Sequence, residues 1–438
     1  MARIRQDDTE TRSALSAAWA RLPAALRTPT QYLGRHYAGC GATIGAMPKC
    51  DFACAGCYLG EEANRARPRA LAQIKTQLRE LRTWLGPAGN VQLTDGEVSL
   101  RPEAELIELI CYARELGLVP MLMTHGETFR RKPGLLERLM VEGGLTEVSI
   151  HIDTTQRGRR DRFALARTEA DLDPLRAEFA ALIRSARKTT GRRLEAASTV
   201  TVTRDNLGEV PGIVRCLLAH ADAFKMMSFQ PLADVGRTDP TLRGVHPDEL
   251  WEKIAEGTGD PAIRRGEGSL GHPACSRFVQ GLAVKNPQPN RPRLFPFYRS
   301  DQPDELSALQ ELFDRVGGMS FRLDGRAQAL RRVVWMLVRH GGFALTRLLP
   351  QAWKLWRRAG TLRGNYFAIV SHHFMSAAET ATPEGQERLD VCAFKVSING
   401  KLASMCAVNA LGLREEFYRE GSSAAAGAAA PSAVVTLA

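Results

Sequence analysis

Between about residues 42 and 240 the chain alternates short apolar runs with longer stretches in which apolar residues return every three or four positions. The short runs read as strands and the longer ones as amphipathic helices, and their regular alternation is the pattern of βα units carrying a parallel sheet. Six strands are predicted: ATIGAM at 42–47, NVQLT at 90–94, VPMLMTH at 119–125, TEVSIHID at 146–153, AASTVTVT at 196–203 and FKMMSFQPL at 224–232. Their β-rich composition suits strands covered on both faces. Helices are predicted between them, among them PEAELIELICYARELG at 102–117, with Pro102 at its start and Gly117 at its end, and DPLRAEFAALIRSARKTTG at 173–191. Right-handed crossovers wind six such units into an open α/β arrangement, a parallel (β/α)6 partial barrel, whose functional groups sit at the C-terminal ends of the strands.

The alternation stops after about residue 240. Residues 241–325 are rich in Gly, Pro and Arg around GHPACSRF and read as an irregular region containing Cys275. Residues 326–365 read as two short basic amphipathic helices broken at Gly341-Gly342. Residues 366–418 contain VCAFKVSINGKLASMCAVN, a β-hairpin turned at Asn399-Gly400 with Cys392 and Cys406 on either side. The first 39 residues form a helical extension, and 419–438 form a low-complexity tail that lacks the residues to pack a core.

Composition narrows the setting. With 438 residues, 44% hydrophobic, the chain buries a full core. The charged start MARIRQDDTETRS and the absence of any run of about 18 apolar residues point to neither a signal peptide nor a membrane span, and so to the cytoplasm. Nine cysteines in that compartment are buried, catalytic or metal-bound thiols rather than a disulfide scaffold. A net charge of +11 implies an anionic partner or surface.

Three of the nine cysteines, Cys50, Cys54 and Cys57, fall within CDFACAGC, directly after the first strand. Three thiolates on one short loop ligate three irons of a [4Fe-4S] cluster and leave the fourth open. Structural zinc is the competing reading, but zinc sites pair two hooks, and no second hook follows at finger distance. Chance buried cysteines fit a loop between Asp51 and Gly56 poorly.

The C-x3-C-x2-C loop after strand one of a six-unit barrel resembles the radical S-adenosylmethionine (SAM) superfamily over about residues 40–235. The resemblance implies that Cys50, Cys54 and Cys57 hold a [4Fe-4S] cluster whose open iron binds SAM. One electron then cleaves SAM to a 5'-deoxyadenosyl radical that takes hydrogen from a substrate C–H bond. An electron donor such as flavodoxin or ferredoxin is implied as a partner. The family's Gly-Gly-Glu turn corresponds to TDGEVSL, where Gly96 and Glu97 match and Asp95 takes the first Gly place. Fainter likeness puts Ser149, Asp153, Asn206 and Gln230 at later strand ends facing SAM. Gly56 stands where the family often has an aromatic, and Tyr58 follows the third cysteine.

Of the remaining cysteines, Cys111 and Cys216 lie among apolar residues on helices and read as core. Cys392 and Cys406 are brought together by the hairpin; with Cys275 they form a candidate auxiliary iron-sulfur or mononuclear iron centre, with His373 or Cys40 as a fourth ligand. The bland alternative is a set of unrelated buried thiols, and Cys40 by itself is equally a core residue.

Residues 326–363 combine Arg331, Arg332, Arg339, Arg347, Lys354, Arg357 and Arg358 with Trp335, Trp353 and Trp356 and contain no acid. That is the composition of a helix in a membrane interface. Ordinary helices with their apolar side on the barrel and their arginines in water fit equally, whereas nucleic acid fits worst. With GHPACS, SHHFMSAAE and the cysteine hairpin, the C-terminal half resembles, by short motifs only, a radical SAM subgroup that includes archaeal tetraether lipid synthases. This likeness implies a lipid-chain substrate with C–C coupling or methylation as outcome. A peptide or a small cofactor such as a pterin is the alternative substrate, and a non-enzymatic iron-sulfur electron-transfer or sensor protein the alternative class.

Overall fold

The computed structural model describes residues 2–285, 292–318 and 326–427. Twelve strands form one sheet: β1 Cys40–Ala42, β2 Asn90–Leu93, β3 Val119–Thr124, β4 Glu147–His151, β5 Glu195–Val202, β6 Phe224–Pro231, β7 Gly268–Ser269, β8 Ser276–Val284, β9 Arg293–Pro296, β10 Asn365–His372, β11 Phe394–Ile398 and β12 Lys401–Ser404. The order is β12-β11-β1-β2-β3-β4-β5-β6-β10-β8-β7, with β9 on β8. The six expected strands are all present and parallel, and they form the open, curled half-barrel of a partial TIM-like fold.

Two of the later strands extend this core. β11 adds parallel to β1 at one edge and β10 adds parallel to β6 at the other. The chain between them, residues 373–393, therefore runs from one edge of the half-barrel to the other.

The strands alternate rather than being apolar on both faces. Val91, Leu93, Leu122, Val148, Ile150, Val200, Val202, Met227 and Phe229 are buried with the helices in one core. Their sequence neighbours Gln92, Met123, Ser149, His151, Thr199, Thr201 and Gln230 face the barrel interior. The period-two pleat thus separates an apolar outer face from a more polar lumen.

Strand one is shorter than 42–47. Beyond Ala42 the backbone leaves the ladder because side chains take its hydrogen bonds: Ile44 N–H donates to Gln77 Oε1 at 2.8 Å and Gly45 N–H to Asp95 Oδ2 at 2.5 Å. The described part of 241–325 is more regular than expected: it contains the helix Pro247–Thr258, the nine-residue β8 and the antiparallel β7 and β9, while 286–291 and 319–325 lie outside the described residues. The Asn399-Gly400 turn is present, with φ of 49° and 78°, both in the left-handed region that a tight hairpin requires. In the basic segment the break falls at His340, whose φ of −129° interrupts the helix Arg326–Phe343; a π-helix Ala344–Leu348 and the helix Leu349–Ala359 follow. The expected tail at 419–438 begins as helix, since Leu413–Gly427 is helical; 428–438 lie outside the described residues.

Candidate active site

The loop carrying Cys50, Cys54 and Cys57 is held from three sides. Cys50 N–H donates to Asn64 Oδ1 at 3.0 Å. The loop after β4 accepts Ala53 N–H at Arg157 O and Ala55 N–H at Thr155 O, both at 2.8 Å, and the loop after β6 donates Asp239 N–H to Ala55 O at 2.7 Å and Arg237 N–H to Cys57 O at 3.1 Å. A Cβ on Gly56 would stand 2.6 Å from Leu232 Cδ1, so a larger residue there would have to displace the Leu232 side chain. Tyr58 supplies a ring from the other side of Cys57, its hydroxyl donating to Asp95 O.

All three cysteines line a cavity of about 190 Å³, partly open to solvent, at the C-terminal ends of the strands. Gly96, Glu97, Ser149 and Gln230 line it too, with His125 and His151. Gly96 is required by close approach, since a Cβ would lie 2.3 Å from Pro48 O and 2.4 Å from Lys49 O. Gly96 N–H donates to Met47 O and Glu97 N–H to Lys49 O, each at 2.8 Å, which joins this turn to the residues just before Cys50. Glu97 is buried and accepts from Thr124 Oγ1 at 2.6 Å, Ser99 N–H at 3.1 Å and His125 N–H at 2.8 Å.

Asp153 and Asn206 do not line the cavity. Asp153 accepts from Thr155 N–H at 2.8 Å and Thr201 N–H at 2.6 Å and meets His151 Nε2 at 2.5 Å. Burial alone would raise the Asp153 carboxyl, but His151 and these donors outweigh it and hold it at about 2. Asn206 donates to Glu169 Oε1 and Thr201 O, both at 3.0 Å, and accepts from Thr203 N–H. Both side chains brace the ends of β4 and β5 from behind.

Several site residues were missed at the level of sequence. His125 stacks on Phe52 at 3.8 Å and reaches Asp51 Oδ1 at 2.8 Å, a hydrogen bond that brings the Asp51 carboxyl down to about 2. Arg414, 2% exposed, pairs with Asp95 and lies 4.8 Å from the Tyr58 ring. Burial opposes the Arg414 charge, but Asp95 outweighs it and the guanidinium stays protonated. The signal for Arg414 was Asp95 itself: an acid in a Gly place beside a buried turn needs a cation.

A second cavity lies deeper in the barrel and shares Gln92, Met123, Ser149, Thr199, Gln230, Phe374, Phe394 and Met405 with the first. It brings Cys275, Cys392 and Cys406 together with Cys40 and with His272, His372 and His373. Arg388, also at this cavity, donates to Cys275 Sγ at 3.2 Å and to His373 O at 2.9 Å. No disulfide joins any of the nine cysteines, and burial pushes the Cys406 thiol up to about 12.

The donor chemistry fits an iron-sulfur cluster. Burial pushes the Cys50 thiol up to about 12 and Cys54 further, so these thiolates persist only beside a strong cationic partner. Among the described residues, the group with ligand atoms all within 4.8 Å of one another is Cys50, Asp51 and His125, not the three thiols.

Three loop thiols lie at the C-terminal mouth of an open α/β half-barrel, tied through their backbone to a buried Gly-Glu turn. Residues 44–194 match the model of the Radical SAM superfamily. Its members use a [4Fe-4S] cluster and SAM. Among curated proteins the chain is similar to 7,8-dihydro-6-hydroxymethylpterin dimethyltransferase of Methanocaldococcus jannaschii, 24% identical over 45% of this chain and 37% of that protein. The chain thus spans little more than a third of the length of this relative. Solved structures similar to it include native anSMEcpe with bound AdoMet (13% identity, TM-score 0.32, 49% of this chain and 57% of that one) and methylornithine synthase (14%, 0.35, 56% and 69%). The family match ends at residue 194, before the segments that carry the likeness to tetraether lipid synthases.

Proposed function

We propose that this protein is a radical SAM enzyme acting on an unactivated C–H bond, with Cys50, Cys54 and Cys57 as cluster ligands and Gly96 and Glu97 orienting SAM. The observation that carries the reading is the joining of the Cys50 loop to the Gly96-Glu97 turn at one cavity. When bound, the reduced cluster and SAM supply a 5'-deoxyadenosyl radical that removes a hydrogen atom from substrate. The protein's own residues hold and shield. Glu97, already fixed by Thr124, Ser99 and His125, presents a preorganised acid toward an ammonium group. Ser149 and Gln230 face the cofactor from β4 and β6, while Asp153 and Asn206 keep the strand ends in place.

The substrate enters the shared interior, where Met121, Met123, Met226, Phe374, Phe394 and Met405 form an apolar lining. This lining favours an alkyl chain, with C–C coupling or methylation as the outcome. Cys275, Cys392 and Cys406, with Cys40 or His373, would hold an auxiliary iron centre at the inner end of that space. A second reading, methylation of a pterin-like small molecule, is supported by the pterin dimethyltransferase relative. Incubation with perdeuterated acyl lipid or with a deuterated pterin separates the two: the substrate is the one whose deuterium appears in 5'-deoxyadenosine. Deuterium transfer from neither, with SAM cleaved, would remove both substrate assignments.

A further inference from the structure

Nine of the thirteen large hydrophobic side chains exposed among the described residues fall between 334 and 366. Val334 and Val338 on one side of the break at His340, and Leu349, Trp353 and Trp356 on the other, recur at spacings of three or four, so each helix presents an outward apolar row, with Leu345 exposed between them. Trp353 is 55% and Leu345 67% exposed.

This stripe is not a core face left over by loose packing. Leu355 is the buried anchor of the last helix, packed with Leu282 and Val284. The cations on its flank are already engaged with the helix Pro303–Val316: Arg347 with Glu311 at 3.0 Å, Lys354 with Asp304, and Arg358 with Glu305 at 3.4 Å. Those ion pairs fix the helix so that the tryptophan side points away from the body. Arg331, Arg339, Arg357 and Arg363 are exposed along the same segment, with Arg357 4.8 Å from the Trp353 ring and Arg339 5.8 Å from Trp335. Residues 326–363 include several basic residues and no acid.

We propose that this tryptophan-bearing basic face docks on the surface of an anionic phospholipid membrane, lying in the interface without crossing it. Tryptophan and leucine enter the acyl boundary while the arginines meet lipid phosphates, the division of labour of an interfacial helix. No described helix is long and apolar enough to span a bilayer. A second copy of the chain fits the face less well, because a two-fold contact sets the same acid-free basic segment against itself. A nucleic acid would bind the arginines but leave the apolar stripe in water. The proposal stands on this surface alone and does not depend on the substrate being a lipid.

The test uses the full chain and co-sedimentation with vesicles of phosphatidylcholine, with and without about one third phosphatidylglycerol. Wild type is expected to pellet with the anionic vesicles and not the neutral ones. Arg357→Gln and Arg363→Gln should each weaken binding about fivefold, the equivalent of about 1 kcal/mol per basic residue near the surface. The triple variant Leu349→Gln, Trp353→Gln, Trp356→Gln should weaken it by roughly tenfold or more. These side chains are exposed, so an unchanged circular dichroism spectrum and unfolding midpoint check the fold. Wild type that ignores anionic vesicles, or a triple variant that binds as wild type does, overturns the proposal. So does light scattering that shows a dimer lost in the triple variant without vesicle binding, or a preference for an oligonucleotide over vesicles.

Discussion

Removing Arg414 should leave a carboxylate stranded beneath the cofactor turn. Asp95 is 1% exposed; besides Arg414 its carboxylate has the Gly45 N–H and the Tyr418 hydroxyl as donors, and its carbonyl receives the Tyr58 hydroxyl. Arg414 in turn donates to Asn409 Oδ1 at 2.8 Å. Breaking one side of a buried pair costs about 3–5 kcal/mol, because the remaining charge stays desolvated, whereas replacing both partners is close to neutral. Arg414→Met and Asp95→Gly are therefore each expected to destabilise by about 3 kcal/mol or more, and the double variant by far less than their sum. Urea unfolding read by pulse proteolysis measures the coupling, expected at about 2 kcal/mol or more. Strict additivity, or single variants within about 1 kcal/mol of wild type, would refute the claim that Asp95 occupies a glycine place because Arg414 sits above it.

Three further outcomes follow from the same geometry. Gly96→Ala, whose Cβ meets two backbone carbonyls at under 2.5 Å, should cost about 1–3 kcal/mol and displace the residues before Cys50, seen as loss of SAM cleavage beyond any loss of fold. Asp153, held at about 2 against an ordinary 3.8, contributes about 2 kcal/mol of stability that is present above about pH 4 and lost as pH falls through 2; Asp153→Asn should remove that acid limb in unfolding measured across this window. Replacing Cys275, Cys392 and Cys406 by Ala should lower the iron content while reductive SAM cleavage at the Cys50 loop persists. Unchanged iron in that variant would count against the auxiliary centre.

The parallel core was legible because period and punctuation agree at each βα unit: the observed ends of β2 to β6 fall within two residues of those expected. What the periodicity also carried, and the reading as strands covered on both faces overlooked, is the lumen. Ser149 and His151, Thr199 and Thr201, and Ser228 and Gln230 alternate with apolar neighbours as residues lining a cavity do. The Cys50 loop and the Gly96-Glu97 turn were visible as motifs because a local spacing expresses them. The Asp95–Arg414 pair spans 319 positions, and no local pattern encodes it. The placement of β10 and β11 on opposite edges was hidden for the same reason, although it is what brings Cys275, Cys392 and Cys406 to one cavity. In the basic segment composition identified an amphipathic helix but not its direction, which depends on Asp304, Glu305 and Glu311 of a different helix.

The most direct measurement compares anaerobically reconstituted wild type with the Cys50→Ala, Cys54→Ala, Cys57→Ala triple variant for iron, sulfide and 5'-deoxyadenosine formed from SAM under strong reductant. Wild type should form 5'-deoxyadenosine, and the variant should lose about four irons per chain and the product with them. Equal product from both would contradict the assignment of the cluster to this loop, and an intact cluster that leaves SAM whole with lipid and pterin substrates present would favour an electron-transfer or sensor protein.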